Sequence, residues 1–353
     1  MVFANIMNKT KKIAIIGSGP ISMFEALYQA KIGNKVVVYD KQNRIGGAWA
    51  NVIYNDYNTE LGCHIWDVNK ETYLFLEKFL YQKLEPLKPS PTILYKNKSF
   101  PYDWKNNIII LQALKNDFKG YLSNKKLIKP VLINRKYKYP KKGGRVLVEK
   151  LVEQCQLSGV DFKLSTDIEG LRYSSNKWEL DILSKSESFD EVIITSLSCV
   201  KKIVCESKTI EPNYQQSTFT HFHFVVENND DAKKISYIRV MGHPFIHRVS
   251  DISDYSVTND KKIYAVGIFR DKIQGDTEEQ AKGRTINYLK SLRILSTNAK
   301  VIDVFSNDYP IDMLNKHQID EINDLPNISL LRSTNLIYGI ANNIEKWSKV
   351  VLT

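Results

Sequence analysis

The segment Lys12-Ile13-Ala14-Ile15-Ile16-Gly17-Ser18-Gly19-Pro20-Ile21-Ser22 constrains the fold more than any other part of the chain. The apolar run from Ile13 to Ile16 suits a strand buried on both faces of a parallel sheet. It leads without a spacer into a glycine loop and then into a helical pattern, roughly Ile21 to Ile32. Strand, glycine loop and helix in that order make a phosphate cradle. Gly17 allows the tight turn out of the strand, and Gly19 lets the backbone approach a pyrophosphate with no Cβ in the way. The helix directs its first N–H groups and the positive end of its dipole at the phosphates. Ser22 stands where a third glycine or alanine usually brings helix and strand together, so a slightly wider spacing is expected there.

A second strand, Lys35 to Tyr39, ends at Asp40. An acid about twenty residues beyond the loop accepts hydrogen bonds from an adenosine ribose and repels a 2′-phosphate, which argues against NADP. The next stretch, Arg44-Ile45-Gly46-Gly47-Ala48-Trp49, resembles the second dinucleotide signature of FAD-dependent proteins in the superfamily of amine oxidases, protoporphyrinogen oxidases and UDP-galactopyranose mutases. The resemblance implies that Arg44, Gly46 and Gly47 lie along the pyrophosphate and ribityl chain. The cofactor it implies is FAD, with Gly17, Ser18, Gly19, Pro20, Ile21, Ser22, Asp40, Lys41, Arg44, Gly46, Gly47, Ala48 and Trp49 as its contacts.

Further segments match the same superfamily in order along the chain. Leu61-Gly62-Cys63-His64-Ile65-Trp66, followed by a helix from about Tyr73 to Tyr81, resembles the loop that passes beside the flavin ring. By that match His64 stands near N5, as a catalytic and cofactor-contacting residue, and Ile65 lies beside it. Residues Leu94 to Pro101 read as a hairpin with an Asn-centred turn. A short helical stretch, Ile108 to Leu122, implies a reduced helical cap over the substrate. Tyr137 to Gly144, a helix from Arg145 to Ser158 and a strand from Gly159 to Leu164 resemble the return to the nucleotide domain, where the backbone of Ile168 would contact the adenine. Trp178 to Leu183 and Glu191 to Ser196 read as strands, the second ending near the cofactor.

From about residue 206 to 310 the pattern becomes alternating, with strands expected at Thr218–Val226, Ser236–Met241, Phe245–Val249, Ile263–Phe269 and Ala299–Phe305, and a helix at Thr277–Leu292. An antiparallel sheet is expected. Pro244-Phe245-Ile246-His247-Arg248-Val249 resembles the strand whose arginines bind the substrate diphosphate in the mutases. The match makes Arg248 the leading substrate and catalytic contact, with Arg239 and Arg270 behind it, because a guanidinium offers a permanently charged bidentate fork. Tyr309-Pro310-Ile311 also has a family counterpart. Near the C-terminus Arg332 and Leu336 match residues at the flavin phosphate, while Leu331 replaces the family's glycine and weakens the expected hold on FAD.

Composition sets the outer limits. The chain has 353 residues, 43% hydrophobic and 11% aromatic, enough for two buried cores. No apolar run reaches the eighteen or so residues of a membrane span. The start lacks a signal-peptide pattern and the four cysteines show no framework spacing, so a cytoplasmic protein is expected. The net charge of +11 comes from dispersed lysines, which argues against nucleic acid as a partner and is compatible with an anionic small-molecule substrate. The pairs His221/His223 and His243/His247 lack a cysteine or acidic partner at ligand spacing, so no metal is expected.

The expected fold is α/β: a Rossmann-like FAD-binding domain with a parallel sheet, plus a second domain built on an antiparallel sheet with a reduced helical cap. The FAD-binding domain is expected to be discontinuous (1–92, 135–205 and 306–353), with the substrate domain at 93–134 and 206–305. The function implied is an FAD-dependent oxidoreductase that accepts hydride at N5 from an amine, alcohol or sugar derivative. Two alternatives stand beside it: an isomerase of the UDP-galactopyranose mutase type working through reduced flavin, and a dinucleotide-binding protein without catalysis. Oligomeric state is not legible.

Overall fold

The computed structural model describes residues 10–62, 65–66, 69–96, 98–102, 137–182, 185–194, 200–256, 261–273, 275–314, 316–331 and 336–353. The chain opens with β1 (Lys12–Ile16), α1 (Pro20–Lys31) and β2 (Lys35–Tyr39), at nearly the limits that hydrophobic periodicity sets. A hairpin of β3 (Asn51–Tyr54) and β4 (Tyr57–Glu60) precedes α2 (Lys70–Leu80). This helix starts three residues earlier than expected because Asn69 caps it, accepting from the Thr72 N–H at 2.8 Å and the Thr72 hydroxyl at 2.7 Å. The short β5 (Glu85–Pro86) is followed by the expected hairpin, β6 (Thr92–Tyr95) and β7 (Lys98–Pro101). The helix expected at 108–122, and with it the cap, lies outside the described residues.

The next part contains β8 (Lys138–Tyr139), α3 (Arg145–Leu157), β9 (Asp161–Lys163), β10 (Gly170–Ser174), β11 (Lys177–Ile182), β12 (Lys185–Phe189), β13 (Glu191–Ile194), β14 (Lys202–Cys205) and β15 (Lys208–Ile210). The last part contains β16 (Tyr214–Glu227), β17 (Tyr237–Met241), β18 (Ile246–Asp251), β19 (Lys262–Phe269), α4 (Glu278–Ser291), β20 (Lys300–Leu314), α5 (Lys316–Asn323), β21 (Ile328–Leu330) and α6 (Leu336–Val351).

A parallel sheet in the order β21-β13-β1-β2-β9 forms the centre of the first unit. Its strands are apolar on both faces because both are covered. Ile13, Ile15, Val36 and Val38 pack beneath α1, α2, α3 and α6, with Phe24, Leu147, Leu151 and Trp347 filling the layer. On the opposite face Ala14, Ile16, Tyr39, Val192 and Ile194 meet Leu171, Trp178, Leu180 and Phe189 from a second sheet, β12-β11-β10-β14-β15. The unit is therefore a helix, sheet, sheet sandwich, and the glycine loop after β1 emerges at the carboxyl edge of the middle layer.

The second unit is a seven-stranded sheet in the order β20-β16-β19-β18-β17-β6-β7. Alternation assigns its two faces. Phe222, Phe224, Val226, Val240, Val249, Val266 and Ile268 pack with Ala281 and Leu289 of α4. His221, His223, Val225, Ala265 and Gly267 fall on the other face. The sheet is antiparallel apart from one pairing, β6 running parallel to β17 with Ile238 opposite Thr92. Strand β20 pairs with β16 from Lys300 through Leu314, and a turn joins β14 to β15.

Candidate active site

The glycine loop is fastened from both sides. The N–H of Gly17, at φ 102°, donates to the Tyr39 carbonyl at 2.7 Å, which ties the loop to the end of β2. The Ser18 N–H and hydroxyl both donate to Asp40 Oδ2, at 2.7 and 2.6 Å, and Asp40 Oδ1 accepts from the Gln42 N–H at 2.8 Å. Asp40, expected at a ribose, braces the glycine loop through Oδ2, while Oδ1 holds the turn that follows β2. Helix α1 has Gly19 as its N-cap, Pro20 at its first position and no side-chain cap. A Cβ at Gly19 would meet nothing within 4 Å, so the positive end of α1 opens onto space.

The second glycine motif docks directly on the first. The Gly46 N–H donates to the Ser18 carbonyl at 3.0 Å, and a Cβ on Gly47 would sit 3.3 Å from the Gly19 Cα. Both glycines have left-handed φ, 118° and 54°. Arg44, Lys41 and Ala48 are half-buried at the rim, and Ile21 and Ser22 are buried beneath it. Trp49 is buried and stacks on Trp66 with centroids 5.2 Å apart. Two docked glycine loops beneath an uncapped helix fit the pyrophosphate of a dinucleotide. At the end of β2, Asp40 N–H donates to the Lys163 carbonyl at 3.1 Å and Thr166 N–H to the Asp40 carbonyl at 2.9 Å. These bonds bring the segment holding the buried Ile168 to the end of β2.

The segment after β4 crosses this platform at close range. A Cβ on Gly62 would lie 2.2 Å from the Ala48 carbonyl oxygen, so only glycine fits. Glu60, 2% exposed, accepts from the Tyr139 hydroxyl at 2.5 Å and from the Arg145 N–H at 3.0 Å, the first amide of α3. Burial pushes its carboxyl up to about 7, against the lowering effect of these donors. No pattern in the sequence announced Glu60. Ile65 is buried against Ile93, Tyr102, Tyr137 and Tyr237, where the two units meet. His64 and Arg332 lie outside the described residues; Leu336 begins α6.

Facing this platform, the second sheet carries one row of residues in register: Arg239, Arg248, Gly267, His221 and Asn307. Arg248 Nε donates to His221 Nε2 at 3.0 Å, its Nη2 also faces that nitrogen, and Nη2 donates to the Gly62 carbonyl at 2.6 Å. Arg239 Nη1 lies 3.4 Å from His247 Nδ1. Burial holds His247 down to about 2 and His223 to about 3, with Arg248 adding to both, so these rings are neutral. Arg270, expected behind Arg248 at the substrate, is instead a surface residue paired with Asp308 at 2.5 Å and Glu278 at 3.8 Å. Among the described residues no three His, Cys, Asp or Glu side chains gather as a metal site.

Residues 15–79 match the model of the NAD(P)-binding Rossmann-like domain. A search against curated protein sequences returns no match. Among solved structures the chain is similar to a protein assigned as a protoporphyrinogen oxidase from Exiguobacterium sp., with a TM-score of 0.64, 11% identity and coverage of 98% of this chain and 99% of that one. The chain therefore shares the fold of that protein. Wild-type putrescine oxidase bound to putrescine gives a TM-score of 0.65 at 12% identity, covering 98% and 99%. Reduced UDP-galactopyranose mutase gives 0.62 at 13%, covering 85% and 81%. No described helix of the chain is long and apolar enough to cross a membrane.

Proposed function

We propose that the chain is an FAD-dependent oxidoreductase that accepts hydride at flavin N5 from a small amine, alcohol or sugar derivative. The observation that carries the reading is the docking of the two glycine loops, Gly46 N–H on the Ser18 carbonyl and Gly47 against Gly19, beneath the uncapped end of α1. When bound, the flavin supplies the electron acceptor, a chemistry that side chains lack. The protein's part is positional. Gly17, Ser18, Gly19, Pro20, Gly46 and Gly47 hold the pyrophosphate, Asp40 stiffens the loop, and Ile65 with its tyrosine neighbours keeps water from the junction of the two units. In this reading His64 and Arg332 keep the roles the resemblance implies, beside the flavin ring and along the diphosphate, Arg44 and Lys41 would add positive charge to the diphosphate, and Leu336 begins the last helix. Cytoplasmic action accords with the free buried thiols of Cys155 and Cys205.

The adjacent arginines Arg239 and Arg248 favour one second reading, an isomerase acting on an anionic nucleotide sugar through reduced flavin, with Arg239 meeting the diphosphate. Visible absorption of the purified protein, before and after FAD and then dithionite, tests both. A bound, reducible flavin is expected; a colourless protein that takes up no FAD overturns them. Redox turnover of an amine or alcohol then selects the oxidoreductase, and conversion of UDP-galactofuranose only after reduction selects the isomerase.

A further inference from the structure

The aim of Arg248 is built by three strands. A register shift between Ile246 and Arg248 marks a bulge in β18, a device that re-aims a side chain. The neighbouring position on β19 is Gly267, where a Cβ would lie 2.7 Å from Arg248 Cγ and 2.8 Å from its Nε. The absent side chain is the channel through which Arg248 crosses to β16. There the fully buried His221 receives it through Nε2, which places the imidazole proton on Nδ1. The fork ends on the Gly62 carbonyl, in the other unit and 186 residues away in sequence.

We infer that Arg248 is a positioning residue that fixes the flavin-side loop, rather than a ligand of the substrate, and that His221 and Gly267 set its aim. A guanidinium held by an imidazole acceptor and a main-chain carbonyl is pinned in its plane, which is the requirement for a brace. The carbonyl it grips belongs to Gly62, where a Cβ would lie 2.2 Å from the Ala48 carbonyl oxygen, so the brace presses the loop onto the second glycine motif. The loop's neighbour is the flavin only on the FAD reading above; the brace itself does not depend on it.

Hydrogen exchange of the peptide spanning residues 58–62, followed in wild type, R248M, R248K, G267A, H221L and H221Q, tests the inference. R248M, G267A and H221L are expected to exchange there at least tenfold faster, with β1 and α1 unchanged. H221Q keeps an acceptor and is expected to stay near wild type, while R248K, a single ammonium, falls between. Titrating FAD into the same samples is expected to show a shifted flavin band and about tenfold weaker binding in R248M and H221L, with H221Q restoring both. Unaltered exchange at 58–62 in R248M and H221L, or equal acceleration in β1, overturns the brace. If R248M or G267A fails to fold, the H221L and H221Q pair decides. A wild type that takes up no FAD defeats the cofactor reading and leaves the exchange result to decide the brace alone.

Discussion

Glu60 is where a single ionisable group couples the site to stability. Its folded carboxyl titrates near 7 against 4.5 for the free side chain, with burial as the main cause. A raised folded value means that the native state holds the proton between these limits, so the stabilisation is complete below about 4.5 and is lost as pH rises through 7, a change of about 3 kcal/mol. Denaturant midpoints at pH 5, 6, 7 and 8 are expected to fall in wild type and stay level in Glu60→Gln, where the amide still accepts from Arg145 and can donate to Tyr139. Glu60→Ala strands those partners and is expected to be less stable at every pH. Asp40→Ala removes the acceptor of two backbone N–H groups and a hydroxyl, of which the Ser18 N–H and hydroxyl are left buried at a cost of about 1–3 kcal/mol each. Its thermal midpoint should drop and its affinity for FAD should weaken at least tenfold. Asp40 and the glycines were legible because a fixed local spacing specifies them. Glu60 and His221 were not, because their meaning lies in partners 79, 85 and 27 residues away.

Elements were easier to read than their partners. Burial on two faces made β1 and β2 plain, and an amphipathic stripe made α3 plain. Helix α4 carries a capping box, Thr277 with Gln280, at its expected start. The parallel pairing of β6 with β17 left no local trace, since it joins segments separated by more than a hundred residues. The lock between the first and last helices is equally non-local. Glu25, 1% exposed on α1, accepts from Lys346 Nζ at 2.6 Å and Trp347 Nε1 at 2.9 Å on α6, and Phe24 stacks on Trp347 at 5.2 Å. Breaking a buried pair costs about 3–5 kcal/mol, and the solvated end of Lys346 puts Glu25→Ala at the lower limit. Because α6 begins at Leu336, beside the proposed cofactor phosphates, the loss should appear in two readouts: a lower urea midpoint and faster FAD release. Glu25→Gln, which keeps the acceptor for Trp347, is expected to fall between.

At the scale of the whole molecule the two units meet along the segment from Glu60 to Trp66. That segment touches the glycine platform through Gly62, the start of α3 through Glu60 and the second sheet through Arg248 and Ile65. A ligand seated on the platform therefore lies against groups from distant parts of the chain, and its binding free energy adds to the stability of the assembled state. At a hundred times the dissociation constant that addition is about 2.7 kcal/mol, a rise of roughly 4 °C in the thermal midpoint for a chain of this size. FAD is expected to produce this rise, and NADP to produce none, because the Asp40 carboxylate repels a 2′-phosphate. The rise should largely vanish in Asp40→Ala, in which the loop loses its brace, and should survive in Glu60→Gln, in which the helix end is kept. Differential scanning calorimetry of wild type and both variants with FAD, NADP and no ligand checks all four points. Stabilisation by NADP and none by FAD would move the ligand assignment to a nicotinamide cofactor while leaving the fold as described.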